Sequence, residues 1–370
     1  MGAKLNYIAL YPYSAAFYIS ILFLATLLAV LVNAVKPVLK KVILVIIVLL
    51  LSLCSGFRGV TVGTDTMGYM LTIESCRQGY FGGVSGGMEL GFYLLIKSIL
   101  FVFDNPQFVL VVIALIINSL IIARLWSLKD KISFSFMVFF YTALYYVVTY
   151  SGVRQWIAVA VVFYASKYVF GHKYGIFIIF VLVAGTVHYT ALFALLYILL
   201  DIIFWKRVPP KYKKIFFIGL ISSPFLLYGM FILITKTGII SQYYHLLAND
   251  YKNINIGFNL FVKLAIILFV VLFVKEKDYH FKDSAFYKKV ILFYFVGVLL
   301  TFSGYFYRNI SRIGWYFMVY EIIFFSMVSK TKRFGIILQY VIVLITLYLF
   351  YRSLSGSDVN QMPYIPFWDF

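Results

Sequence analysis

Apolar residues occur along this chain in long blocks, without the strict alternation of a half-buried strand or the single stripe of a surface helix. Pro12–Val35, Val42–Phe57 and Gln107–Trp126 are apolar almost throughout. A helix apolar on all sides belongs in a bilayer, where ~20 residues cross the ~30 Å hydrocarbon core. Blocks of the same kind predict spans at Ile132–Tyr150, Gly152–Phe170, Ile215–Thr235, Phe258–Val274, Val290–Tyr307, Ile313–Val328 and Phe334–Tyr351. Two further blocks behave differently. Met88–Phe103 is broken by Asp104-Asn105-Pro106, and both its ends fall on one side once the basic loops are placed, so it predicts an interfacial or re-entrant helix, the alternative being that it spans and the basic loop at Lys129 breaks the charge rule. Tyr174–Trp205 starts and ends on one side and must be a hairpin. Its arms of about 15 residues reach only ~22 Å, which sinks the turn Gly185-Thr186-Val187-His188 below the membrane surface. Backbone at that depth belongs beside a water-filled cavity or within protein.

The pattern therefore predicts an all-α polytopic membrane protein, one integral domain over residues 1–370, with about twelve transmembrane helices plus the re-entrant or interfacial element. Two polar excursions interrupt it, 58–106 and 236–257, the second with a short interfacial helix at Ile239–Leu247. With only Lys4 ahead of it, the first block reads as an uncleaved span. Gly82–Gly87 reads as a flexible linker without phosphate-loop spacing.

Charge adds topology. Lysine and arginine total 32 against 13 acidic residues, a net +19. In a soluble chain that excess would suggest nucleic acid. Here the lysines fall in short loops between spans (Lys36, Lys40 and Lys41; Lys211, Lys213 and Lys214; Lys275 to Lys289), as cytoplasmic loops and contacts to anionic lipid require, and no nucleic-acid partner is implied. This places 58–87 on the extracytoplasmic side. Cys54 and Cys76 supply neither a disulfide framework nor a zinc spacing, and no metal cluster is present in the pattern.

Arginine is distributed differently from lysine. Arg58, Arg154, Arg308 and Arg312 all fall at extracytoplasmic span ends, where positive charge is disfavoured. Each alone is explained by snorkelling or by a neighbouring carboxylate. Together, around one outward-facing cavity, their planar forks suit a diphosphate. His188, on the sunken hairpin, is a candidate to take a proton from a sugar hydroxyl, with Asp65 and Glu89 as rival bases or orienting groups. Thr64, Tyr69, Gln155 and Asn309 are candidates to bind substrate. Glu321, near mid-span, is expensive in a bilayer and requires a partner, an arginine among the options. It is a further substrate-binding candidate.

Phe57-Arg58-Gly59, Gly63-Thr64-Asp65-Thr66 with Tyr69, then Glu89, Arg154-Gln155-Trp156-Ile157-Ala158 and His188-Tyr189-Thr190-Ala191 occur in an order that resembles the EpsG family. The likeness runs from about residue 52 to 200, with a weaker echo at Arg312–Tyr320. That family contains Wzy-type polysaccharide polymerases. The resemblance implies a GT-C-like membrane glycosyltransferase in a bacterial cytoplasmic membrane, with its active site on the periplasmic or extracytoplasmic side. Such an enzyme takes an undecaprenyl-diphosphate-linked oligosaccharide as donor and another as acceptor, without cofactor or metal, among membrane lipids and beside a chain-length regulator. Transfer to a glycolipid core by a ligase and flipping of the lipid-linked oligosaccharide are the alternative readings. Intramembrane polar residues gathered toward one face disfavour the second.

Overall fold

The computed structural model describes residues 6–81, 87–205, 208–236, 258–273, 284–304, 308–328 and 335–369. Residues 237–257 of the expected second loop, with its helix Ile239–Leu247, lie outside them. The helices are α1 (Pro12–Leu31), α2 (Pro37–Gly56), α3 (Thr66–Arg77), α4 (Leu90–Val102), α5 (Pro106–Trp126), α6 (Phe134–Leu144), α7 (Val153–Phe170) and α8 (Tyr174–Val187). They continue as α9 (Leu196–Trp205), α10 (Pro210–Lys236), α11 (Phe258–Phe273), α12 (Ser284–Ser303), α13 (Arg308–Met318), α14 (Tyr320–Val328) and α15 (Gly335–Gly356). Prolines at the first positions of α1, α2 and α5 start those helices where a missing N–H costs nothing. Asn105 caps α5 by accepting the Gln107 N–H at 2.8 Å.

Five helices among the described residues, α1, α2, α5, α12 and α15, are long and apolar enough to cross a bilayer, and five further apolar helices are shorter. The count of about twelve is thus not reached by length. Two expected spans are in fact broken. Ile132–Tyr150 holds only the eleven-residue α6 before a short 3-10 turn. Ile313–Val328 is divided at Val319 into α13 and α14. Tyrosine hydroxyls take up the carbonyls left open at the second break: Tyr145 donates to Met318 O at 2.7 Å, and Tyr197 donates to Tyr316 O.

The expected hairpin forms. α8 ends where His188 takes an extended conformation (φ −156°, ψ 110°), and the chain returns through a 3-10 segment, Tyr189–Leu195, into α9. Tyr174 and Asp201 close its base with a 2.6 Å hydrogen bond, and Phe177 stacks on Tyr197. α4, at 13 residues, reaches ~20 Å, short of a crossing. Packing centres on α7, which lies against α5 and α8, while α2 packs on α5 and α12 on α13. Three crossings among the described residues are closed by glycine: a Cβ on Gly56 of α2 would lie 2.5 Å from Val111 Cα, one on Gly91 of α4 2.7 Å from the Thr186 carbonyl carbon, and one on Gly297 2.7 Å from Met318 N.

After α15 the chain folds back across the turn that follows α2. Gly59 N–H donates to Ile365 O at 2.7 Å, Phe367 N–H to Phe57 O at 2.9 Å and Gly63 N–H to Asn360 O at 3.0 Å. Tyr364 stacks on Phe17 and donates to Cys54 O. The C-terminal segment is thereby a strap over the beginning of the site, where the sequence reading had only a tail.

Candidate functional site

The site begins with a residue that is not in it. Arg58 is 2% exposed. It donates to Ser55 O at 2.6 Å, to Tyr150 O at 3.1 Å and to Thr66 Oγ1 at 3.1 Å, and its guanidinium lies 5.0 Å from the centre of the Tyr150 ring. Ser55 O is one of the carbonyls left open in the last turn of α2, a position where a cation is favoured. Arg58 was expected to hold diphosphate; it is instead the pin that joins α2, the start of α3 and the chain entering α7.

That pin sets two backbone junctions side by side. Gly63, with φ +98°, turns the chain so that the Thr64 N–H and hydroxyl both donate to Ser151 Oγ, at 3.0 and 2.8 Å. Asp65 Oδ2 then accepts the Gly152 N–H at 2.8 Å and satisfies a donor at the start of α7. One oxygen of Asp65 is therefore committed to holding a helix end, which weakens its candidacy as the base.

Beyond these junctions opens a cavity of about 450 Å³ whose lining includes Thr64, Asp65, Tyr69, Arg154, Gln155, His188 and Arg312. Glu89 ties its wall together. Oε1 lies 2.9 Å from His188 Nδ1 and Oε2 2.8 Å from Arg154 Nη1. Glu89 occupies the cap position of α4 yet makes no capping bond; its carboxylate goes to Arg154 and the His188 imidazole instead. Burial acts to raise its pKa, but the hydrogen bond from His188 and the Arg154 charge outweigh that and leave it below the ordinary carboxylate value. Arg154 also donates to Gly87 O and lies 5.9 Å from the centre of the Phe92 ring. Its backbone N–H approaches Tyr69 Oη at 3.4 Å. Gln155 donates to Arg312 O and so fixes α13 to α7. With Nδ1 facing a carboxylate, His188 carries its proton there and leaves Nε2 as a lone-pair acceptor, the arrangement a general base needs.

Of the sequence candidates, the structure brings together His188, Glu89, Arg154, Arg312, Asp65, Thr64, Tyr69 and Gln155. Arg308 and Asn309 open α13, and their side chains lie outside the described residues. Glu321 is elsewhere. Fully buried, it accepts from Tyr145 at 2.6 Å, Tyr294 at 2.7 Å and Lys263 at 2.8 Å. It borders a second cavity of about 250 Å³. Its ionic partner is thus a lysine. Lys263 was passed over in the sequence, although a lone cation inside the apolar run Phe258–Phe273 is itself a signal.

Several long apolar helices, with a charged cleft framed by irregular backbone between them, define a multi-pass membrane protein. Residues 41–367 match the EpsG family, well beyond the stretch on which the resemblance first rested, and the chain belongs to that family, a family of Wzy-type polymerases. Comparison with curated proteins and with solved structures gives no match.

Proposed function

We propose that this protein is a polysaccharide polymerase that moves a glycan from a polyprenyl diphosphate carrier, undecaprenyl in a bacterial cytoplasmic membrane, onto the non-reducing end of another lipid-linked repeat unit. The family match supports polymerisation, and one observation carries the chemistry: a single carboxylate, Glu89, binds a histidine and an arginine at the edge of a cavity that a second arginine also lines. In this reading the acceptor hydroxyl oxygen bonds to the anomeric carbon of the donor, and its proton passes to His188 Nε2. The bond from that carbon to the diphosphate oxygen breaks, and the electron pair leaves with the carrier. The leaving group gains negative charge as this happens, and Arg154 and Arg312 are the groups that meet it. Arg308, at the start of the same helix as Arg312, is a further diphosphate contact in the reading. Thr64, Tyr69 and Gln155 orient sugar hydroxyls; Glu89 positions the base and does not itself take the proton.

The reading carries with it a GT-C-like membrane enzyme of about twelve spans, with the cavity facing the extracytoplasmic side, the lipid tails in apolar grooves between helices, a chain-length regulator as partner and no metal in the transfer. The test is incubation of purified protein with the polyprenyl-diphosphate-linked repeat unit, with and without chelator. A ladder of products that survives chelation and is lost in Arg154→Ala and His188→Ala is expected. A full ladder from either variant removes that residue from the chemistry, and dependence on added metal overturns the metal-free mechanism. Transfer only to a glycolipid core, with no ladder, would make the protein a ligase.

A further inference from the structure

The two cavities are lined by neighbouring residues of the same helices. Gln155 lines the first cavity and Trp156 the second; three residues apart on α13, Arg312 lines the first and Trp315 the second. Trp156 and Trp315 lie ring to ring, 5.3 Å apart and tilted by 33°. The second cavity is also where both broken spans meet. Tyr145, just past the end of α6, and Met318, just before the break at Val319, border it together with Glu321 and Lys263. Interrupted helices in a bilayer are tolerated where they line a polar cavity, and buried charge there is expensive enough to need a use. Trp156 is 1% exposed, and its indole N–H has no hydrogen-bond acceptor among the described residues.

We propose that this second cavity is a glycan subsite that holds one sugar ring of the substrate chain, at a position removed from the reacting carbon. The chemistry of the lining selects for sugar. Glu321 and Lys263 form an ion pair, so the lining lacks the clustered guanidinium groups that a diphosphate requires, and a polyprenyl tail would bury the charged pair against hydrocarbon. A pyranose offers both faces the site needs. Its C–H groups sit against the Trp315 indole, whose face carries negative charge, and its hydroxyls reach the Lys263 ammonium and the Thr301 hydroxyl. A volume of about 250 Å³, near the lower end of small-molecule sites at ~300 Å³, admits one ring and not an oligosaccharide. The inference rests on the polymerase reading for the identity of the glycan. In that reading the two cavities hold neighbouring parts of one chain.

The experiment uses the oligosaccharide repeat unit freed from its carrier by mild acid, bearing neither lipid nor phosphate, and measures its binding to the purified full-length protein by titration calorimetry. Wild type is expected to bind it, and Trp315→Leu to weaken binding roughly tenfold, the scale of a lost ring contact. Val148→Phe, which adds atoms to the wall of the same cavity and removes no contact, is expected to weaken it as much, and it carries the test if Trp315→Leu does not fold. Wild-type binding by folded Val148→Phe overturns the subsite, as does wild-type binding by folded Trp315→Leu. Binding that depends on Val148 and Trp315 in a protein that makes no ladder leaves the subsite standing and overturns the polymerase reading.

Discussion

Glu89 is the residue whose replacement tests the site most sharply, because one carboxylate serves two partners through two different oxygens. In Glu89→Gln the side chain keeps its length and shape but presents one oxygen and one NH2. Whichever way the amide turns, an N–H faces either the Arg154 fork, where the 2.8 Å contact is lost, or His188 Nδ1, where the 2.9 Å contact survives only if the imidazole moves its proton to Nε2 and gives up its free acceptor. If the amide keeps Arg154, the histidine loses the partner that fixes its tautomer; if it keeps His188, the guanidinium is released from its place. General-base catalysis is worth ~10²–10⁴-fold. A misdirected base should lose most of that, so kcat is expected to fall about 10²–10³-fold, or ~2.7–4 kcal/mol of barrier. KM for the lipid-linked repeat unit should move only a few-fold, since Arg312 still lines the cavity. Glu89→Asp keeps the charge but shortens the reach by one methylene, and it should recover part of kcat. The assay is the initial rate of repeat-unit joining by purified protein in lipid nanodiscs, with a thermal melt to establish folding. A folded Glu89→Gln with wild-type kcat, or with its whole loss in KM, would falsify the positioning role.

Three other expectations concern the frame around that carboxylate. Arg58→Lys supplies one ammonium where three acceptors and a ring face are now served, so it should cost roughly 2–4 kcal/mol of stability through unpaired buried carbonyls. An unchanged melting temperature with lost activity would instead return Arg58 to the ligands. Gly91→Val forces α4 away from Thr186 and should cost about 1–3 kcal/mol by overpacking, with polymer yield falling more than stability because the start of α4 carries Glu89; normal yield would show that this crossing is slack. The lowered pKa of Glu89 fixes the sign of a pH effect. Its contribution is complete above the unfolded-state value of ~4.3 and is lost as pH falls through the lower folded value. The difference in melting temperature between wild type and Glu89→Gln should therefore stay constant from pH 7 to about pH 4.5 and shrink below that. A difference that already declines at pH 6 would place the effect in another group.

The parts of this structure legible in the sequence are those set by local rules. The hairpin at Tyr174–Trp205, its break at His188 and the short helix before Asp104-Asn105-Pro106 followed from block length, charge parity and a proline. The grouping of Glu89, Arg154 and His188 followed from the order of polar residues at one set of span ends. What was illegible depends on distant partners. Nothing near Ile132–Tyr150 or Ile313–Val328 announces a break, because the carbonyl at Met318 is satisfied by Tyr145, 173 positions away in sequence. The strap is hidden for the same reason: residues 360–367 look like an outer tail until Gly59, Gly63 and Phe57 supply their hydrogen bonds. Glu321 announced itself as a buried charge, but only the fold could say that its partners are Lys263 and two tyrosines.

Arg58 and Arg154 looked equivalent in sequence, and the helix end that each occupies separates them. Arg58 follows a C-terminus, where open carbonyls and the negative end of the dipole draw a guanidinium inward, so it is consumed by the fold. Arg154 is the second residue of α7, at an N-terminus, where the backbone offers N–H groups and the dipole disfavours a cation by ~0.3–1 kcal/mol. No open helix carbonyl is there to accept from it, so its side chain reaches out to Glu89 and Gly87 at the cavity edge. The same helix end attracts anions, and two carboxylates already attend it: Asp65 on the Gly152 N–H and Glu89 on the guanidinium. In the proposed reaction, an incoming diphosphate would compete with Glu89 for Arg154. A phosphate oxygen that took the guanidinium would leave Glu89 more fully to His188, so in that reading donor binding and alignment of the base are coupled through one side chain.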